Sequence, residues 1–145
     1  MRHFRITIPE QLRNNAVAII SLLIALFGLG YNTWRNELSE QNRNVRQAGF
    51  QLLMSLSELQ KLVFLAHYDS GHPAANPRIG WSQVLSIQDF SVFMNDDVAS
   101  SANALRSAWS ASWSGLGADD ADRENLYSAI DKLRLHVRYQ LEALE

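Results

Sequence analysis

Residues 16–31 read AVAIISLLIALFGLGY, an apolar run whose only polar side chain short of the Tyr31 phenol is Ser21. Asn32, Thr33 and Trp34 carry it as far as Arg35. Nineteen helical residues, 16–34, rise roughly 28 Å, close to the hydrocarbon thickness that a spanning helix must cross. Tyr31 and Trp34 stand at one end, where amphipathic rings favour the headgroup level, and Arg13 and Arg35 can reach outward from the two ends. Two other readings compete. A buried core helix in so small a body is usually interrupted by polar residues, and this run is not. A cleaved signal peptide would use Gly28-Leu29-Gly30 as a small-x-small site, but alanine is the usual residue there and the helical pattern continues past it. The run therefore reads as an uncleaved transmembrane helix.

Basic residues near the two ends tie, Arg2, Arg5 and Arg13 before against Arg35, Arg43 and Arg46 after. The closer clustering of the first three, together with the amino terminus, favours a cytoplasmic N-terminus and a bundle facing outward, into the periplasm if the cell is a bacterium. Within the run, Ala18, Ser21, Ala25 and Gly28 fall at steps of three, four and three, so small side chains share one face. Such a face lets two helices approach closely in lipid, and a homodimer through this helix is the expectation it raises, although alanine and glycine are common in such segments anyway.

Downstream the text turns polar, RNELSEQNRNVRQ at 35–47, yet contains no glycine or proline. Leu38, Val45, Leu52, Leu59 and Ala66 recur every seven residues, with Gly49, Leu56 and Val63 as companions, so the helix is expected to run on as a stalk to about His67. From Ala48 the apolar residues become dense, and Phe50, Leu52, Leu53, Met54, Leu56, Leu59, Leu62, Val63, Phe64 and Leu65 are expected to be buried. Residues 69–80, DSGHPAANPRIG, predict a loop. Val84, Ile87, Phe90 and Met94 predict a short helix over 81–94. Asn95, Asp96 and Asp97 predict a cap for a third helix with Val98, Ala102, Leu105, Trp109 and Trp113 on its apolar face, closed by Gly115 and Gly117. Asp119, Asp120 and Asp122 open a last helix of about 26 residues whose seam is Leu126, Ile130, Leu133, Val137, Leu141 and Leu144. If it runs back along the stalk, Leu141 and Leu144 arrive near Val45 and Leu38.

The predicted architecture is all-α: a basic tail (1–15), a transmembrane helix (16–34), a polar helical stalk (35–47) and a bundle domain (48–145), with the stalk helix and three further helices packed as an up-down four-helix bundle.

Composition narrows the chemistry. Thirteen basic against fifteen acidic side chains give no basic excess for nucleic acid, and the absence of cysteine excludes disulfides, thiolate metal sites and cysteine nucleophiles. The charge is polarised, with five basic and nine acidic side chains over 96–145. His67, Asp69 and His72 lie close in sequence, but two imidazoles and one carboxylate in a loop fall short of a zinc site. Asp120, Asp122, Glu124 and Asp131 approach calcium-loop spacing, yet Asn125 stands where that loop needs glycine, and helix capping accounts for the same residues. No nucleophile elbow, phosphate loop or H-E-x-x-H occurs, and His136 has no serine marked for activation, Ser128 included. Trp81, Trp109 and Trp113 could form a ligand or partner surface. Because Trp109 and Trp113 share a face with Val98, Ala102 and Leu105, core packing is the competing reading.

The segments FGLGYNTWRNE (27–37) and NPRIGWSQVLSIQDFS (76–91) give the chain a resemblance to an uncharacterised family of small bacterial single-pass inner-membrane proteins. The resemblance implies an inner-membrane location and no activity, and it transfers no site residues. Taken together, the expected function is a non-enzymatic, membrane-anchored helical interaction or scaffold protein with no cofactor, the lipid bilayer and a protein as its partners. The alternative is a small-ligand sensory module binding between the helices near the tryptophans, and a third reading is a hydrolase using histidine and carboxylate near the 69–80 loop.

Overall fold

The computed structural model describes residues 15–144. The basic tail 1–15, with Arg2, Arg5 and Arg13, lies outside them save for Asn15. Four α-helices, and no strands among the described residues, make up the fold: α1 (Ala16–Tyr68), α2 (Pro77–Ser91), α3 (Asp96–Ser112) and α4 (Asp120–Glu142), with a 3₁₀ turn at Pro73–Ala75. The chain divides into two compact units, Met1–Gln41 and Asn42–Glu145.

Helix α1 is unbroken for 53 residues because no proline occurs between Pro9 and Pro73. In the first unit its apolar window is long enough to cross a membrane, and none of that window is buried. Val17, Leu22, Ile24, Phe27 and Leu29 are all exposed, so this is not the core helix of a folded body. Leu38 is exposed too.

The second unit is the up-down four-helix bundle. Gly80 of α2 lies against Trp109 of α3, and Gln88 donates from Nε2 to Asn103 Oδ1 at 3.0 Å, so α2 and α3 are antiparallel. Asn95 N–H donates to Gln140 Oε1 and Asn125 Nδ2 to Ser112 Oγ, which makes α3 and α4 antiparallel in turn. Leu141 meets Gly49, Arg134 meets Gln60 and Arg123 meets Tyr68, so α4 runs back along α1. Helix α4 is 23 residues long, about 34 Å, and ends at Glu142. Leu141, expected near Val45, lies over Gly49, and the Leu144 carbonyl accepts from Arg46 at 3.0 Å.

Each element begins where its cap dictates. Asn95 Oδ1 accepts from the Val98 N–H at 3.0 Å and Asp119 Oδ1 from the Ala121 N–H at 2.8 Å, as the acidic clusters suggested. The 69–80 loop is shorter than expected. Asn76 Oδ1 accepts from the Arg78 N–H at 3.0 Å, and Pro77 occupies the first helical position, where its fixed φ suits a helix and its missing N–H is no loss. Helix α2 thus starts four residues before Trp81 and stops at Ser91, before Met94.

The core holds Leu52, Leu56, Leu59 and Val63 of α1, Val84 and Ile87 of α2, Leu105 and Trp109 of α3, and Leu126, Ile130, Leu133 and Val137 of α4. Full burial of each aliphatic side chain contributes about 1.5–3 kcal/mol. Leu116, from the turn after α3, is also fully buried and plugs one end. Three of the α1 residues expected inside are outside: Phe50, Met54 and Phe64 are exposed. A helix in a four-helix bundle turns only one stripe inward, and these residues lie on the opposite face from Leu52, Leu56 and Val63.

Gly80 marks a close approach between two helices. A Cβ there would overlap the Trp109 six-membered ring, so the absence of a side chain sets how closely α2 and α3 approach. Gly80→Val should destabilise the bundle by about 1–3 kcal/mol, since overpacking must displace the indole. Urea unfolding of the detergent-solubilised chain, followed by tryptophan fluorescence, measures this. Gly71→Ala, where a Cβ meets nothing within 4 Å, should leave the midpoint in place.

Candidate functional site

Ala18, Ser21, Ala25 and Gly28 are exposed on one face of α1, and a Cβ at Gly28 would touch nothing. At the end of this segment Thr33 Oγ1 donates back to the Leu29 carbonyl at 2.9 Å, and the rings of Tyr31 and Trp34 tilt together with centroids 6.1 Å apart. This backbone is thus internally satisfied and its side chains are uniformly outward. Those are the properties a lipid-facing segment needs.

The tryptophans do not form a common platform. Trp109 is 0% exposed, a core residue. Trp81 and Trp113 are half-buried and pack against the core. The Trp109 indole N–H is enclosed without a hydrogen-bond acceptor, a cost of about 1–3 kcal/mol that the ring's burial offsets. Shallow hollows on the surface are lined by Glu58, Lys61, Leu62, Leu65, Ala74 and Ile79 in one case and by Asn44, Gln47, Ala48, Phe90 and Phe93 in another. Neither they nor the other hollows found are lined by Trp81, Trp109 or Trp113.

Two polar clusters hold the histidines. At the end of α1, His67 Nδ1 lies 3.0 Å from the Leu116 carbonyl, which can only accept, so Nδ1 carries the proton. Nε2 then accepts from Arg123 Nη1 at 3.2 Å. Asp120 Oδ1, 3.1 Å from the same Nε2, pairs with it only when the ring is protonated, and otherwise with Arg123 at 2.9 Å. Arg123 also donates to Tyr68 Oη at 2.6 Å and lies 5.6 Å over that ring. The cluster ties α1, the turn at Leu116 and the first turn of α4 together. His72 is engaged elsewhere, its Nδ1 accepting from the Ala74 N–H at 3.1 Å. No group of three or more His, Cys, Asp or Glu side chains among the described residues is placed to hold a metal ion. Asp120 and Asp122 serve the start of α4, the Asp122 carboxylate filling the space beside Gly115, while Asp131 pairs with Arg134 at 2.6 Å.

Beside this cluster, burial pushes the Tyr127 phenol above its ordinary value of 10, the neighbouring Tyr68 adds to the rise and Arg123 opposes it. A raised folded value means that Tyr127 stabilises the bundle below its unfolded value and loses that contribution as pH rises through the folded one. Absorbance titration at 295 nm should show a late-ionising phenol that Tyr127→Phe abolishes, with a correspondingly blunted alkaline loss of stability.

The serine that meets His136 is Ser101, with Oγ 2.7 Å from Nδ1. The Asp97 carbonyl lies 3.2 Å from the same nitrogen, and the Nδ1–H tautomer donates to it. In that tautomer the imidazole holds Ser101 and does not withdraw its proton. Ser101 is buried in the middle of α3, and the hollow next to His136, lined by Asn95, Asp97, Tyr139 and Gln140, does not reach it. This pair fastens α3 to α4. Its sequence signal is position alone, Ser101 standing on the buried face between Val98 and Ala102. Ser101→Ala should cost about 1 kcal/mol in urea unfolding. A fluorophosphonate probe should leave the wild-type serine unlabelled, whereas labelling would revive a hydrolytic role.

Compared with protein-family models, curated proteins and solved structures, the chain matches none.

Proposed function

We propose that the chain is a non-enzymatic interaction or scaffold protein, held in a bilayer by residues 16–34 and offering its helical bundle to a protein partner near the membrane surface. One observation carries this reading: the 16–34 helix is apolar and wholly uncovered, while the bundle beyond it closes its own core. An uncovered helix about 28 Å long needs an apolar solvent, and a bilayer supplies one of matching thickness. In its finer form the proposal is a single-pass protein of a bacterial inner membrane, amino terminus in the cytoplasm and bundle in the periplasm, with the Ala18, Ser21, Ala25 and Gly28 face available to a second span. Ligand sensing draws less support, because Trp109 fills the space between α2 and α3 where a ligand would sit.

The chain should stay in the membrane pellet through an alkaline carbonate wash. Ile24→Arg, which adds about 2.5–3.5 kcal/mol at the centre of the span, should lower that fraction sharply. Recovery of the unaltered full-length chain in the supernatant without detergent would sink the anchor. A reporter fused at the C-terminus, active on one side only, reads the orientation.

A further inference from the structure

On the outward face of α1 within the bundle unit, Arg123 of α4 reaches Tyr68 at one end and the rest of the stripe is left exposed. Phe50, Met54, Ser57, Lys61, Phe64 and Tyr68 are all exposed and follow one another at steps of four, three, four, three and four. That alternation is the seam of a two-stranded coiled coil, with Met54, Lys61 and Tyr68 at the first core position of each heptad and Phe50, Ser57 and Phe64 at the second. We propose that the occupant of this face is a second copy of the same chain, packed in parallel and in register along α1, outside the bundle. The parallel direction rests on the anchor proposed above, because two copies inserted the same way in one bilayer must present α1 in the same sense.

Area argues for a second copy. Phe50, Met54, Phe64 and Tyr68 are 60%, 64%, 52% and 60% exposed. At about 200 Å² per large side chain, two copies would withdraw roughly 950 Å² from water through these four residues alone. Ser57 and the Lys61 stem carry the total past the ~1,000 Å² at which a specific interface begins. Confinement to a membrane adds effective concentration that two soluble monomers would lack. Shape agrees with area, since Phe50, Leu53, Met54, Ser57 and Glu58 line one open hollow, and the first four stand at the spacing of a hole that receives a single partner side chain. At the far end Tyr68 is held rigid by Phe64, with ring centroids 4.9 Å apart, and by Arg123, so ordering it on association costs little. Lys61 is the one charge in the seam. A lysine at such a position weakens a coiled coil but fixes register and favours two strands.

Because the chain has no cysteine, one introduced thiol reports cleanly. Ser57→Cys in the full-length chain, oxidised with copper-phenanthroline in intact membranes, should give a disulfide-linked species of twice the chain mass, since facing Ser57 positions approach the ~4 Å between Cβ atoms that a disulfide requires. Ser128→Cys, exposed on α4, should not. Adding Phe64→Glu to Ser57→Cys should lower the linked fraction about tenfold while leaving the helical circular dichroism and melting of the bundle unchanged, because Phe64 is outside the core. A membrane-bound chain whose Ser57→Cys form stays monomeric, links no faster than Ser128→Cys or links only to another protein overturns the seam and leaves the anchor standing. If the chain is instead found in the soluble fraction, pairing sensitive to Phe64→Glu sustains the seam without the anchor, and absence of pairing removes both.

Discussion

Apolar surface exposed to water is the constraint from which the rest of this molecule follows. Between residues 16 and 34 the side chains are apolar on every face of the helix, and nothing in the described chain lies over them. At about 25 cal/mol per Å², covering that surface would be strongly favourable, which is the ground for the proposed span. The backbone within it forms its own hydrogen bonds, down to the Thr33 hydroxyl returned to Leu29, so only the side chains need a solvent. The bilayer proposed above would meet that need. The Asn42–Glu145 unit has the opposite character, with polar and charged groups outside and a closed apolar interior.

That interior explains why little chemistry is on offer. Interior space is where a helical bundle builds a cofactor or ligand site, from side chains on facing helices. Here Trp109 is laid against the bare backbone of Gly80, and Leu116 closes one end. Apart from the Trp109 indole N–H, polar groups at the helix interfaces are matched to each other: Ser101 with His136, Asn125 with Ser112, Gln60 with Arg134. A histidine whose Nδ1 proton is committed to a main-chain carbonyl is a fastener. His67, with Nδ1 facing the Leu116 carbonyl, is of this kind, and so is His136 in its Nδ1–H tautomer.

Periodicity made most of the architecture legible. The seven-residue recurrence from Leu52 to Ala66, the cap residues Asn95 and Asp119 and the 126–137 seam each place an element within a few residues of where it lies. What could not be read were partners distant in sequence. Nothing in the text near Ser101 announces His136, and nothing near His67 announces Arg123 and Asp120, because those contacts depend on how α3, α4 and the end of α1 are aligned. Pro77 was legible in principle. The dipeptide Asn76-Pro77 is a helix start, but two prolines close together read first as a loop.

The misassignment on α1 is the instructive one. Density of apolar residues from Ala48 onward predicts burial, yet three of the ten residues expected inside, Phe50, Met54 and Phe64, face away from the bundle. A helix that packs on one side needs about three apolar residues in seven, yet residues 50–68 carry more, in two stripes on opposite faces. The surplus is not spread at random, since it keeps the same four-three spacing as the buried stripe. A surface helix with one buried face gains nothing in stability from a second apolar stripe, and in a soluble monomer such a stripe invites aggregation. It lies on the helix that also carries the uncovered 16–34 segment, so the proposed span and the proposed seam belong to a single element.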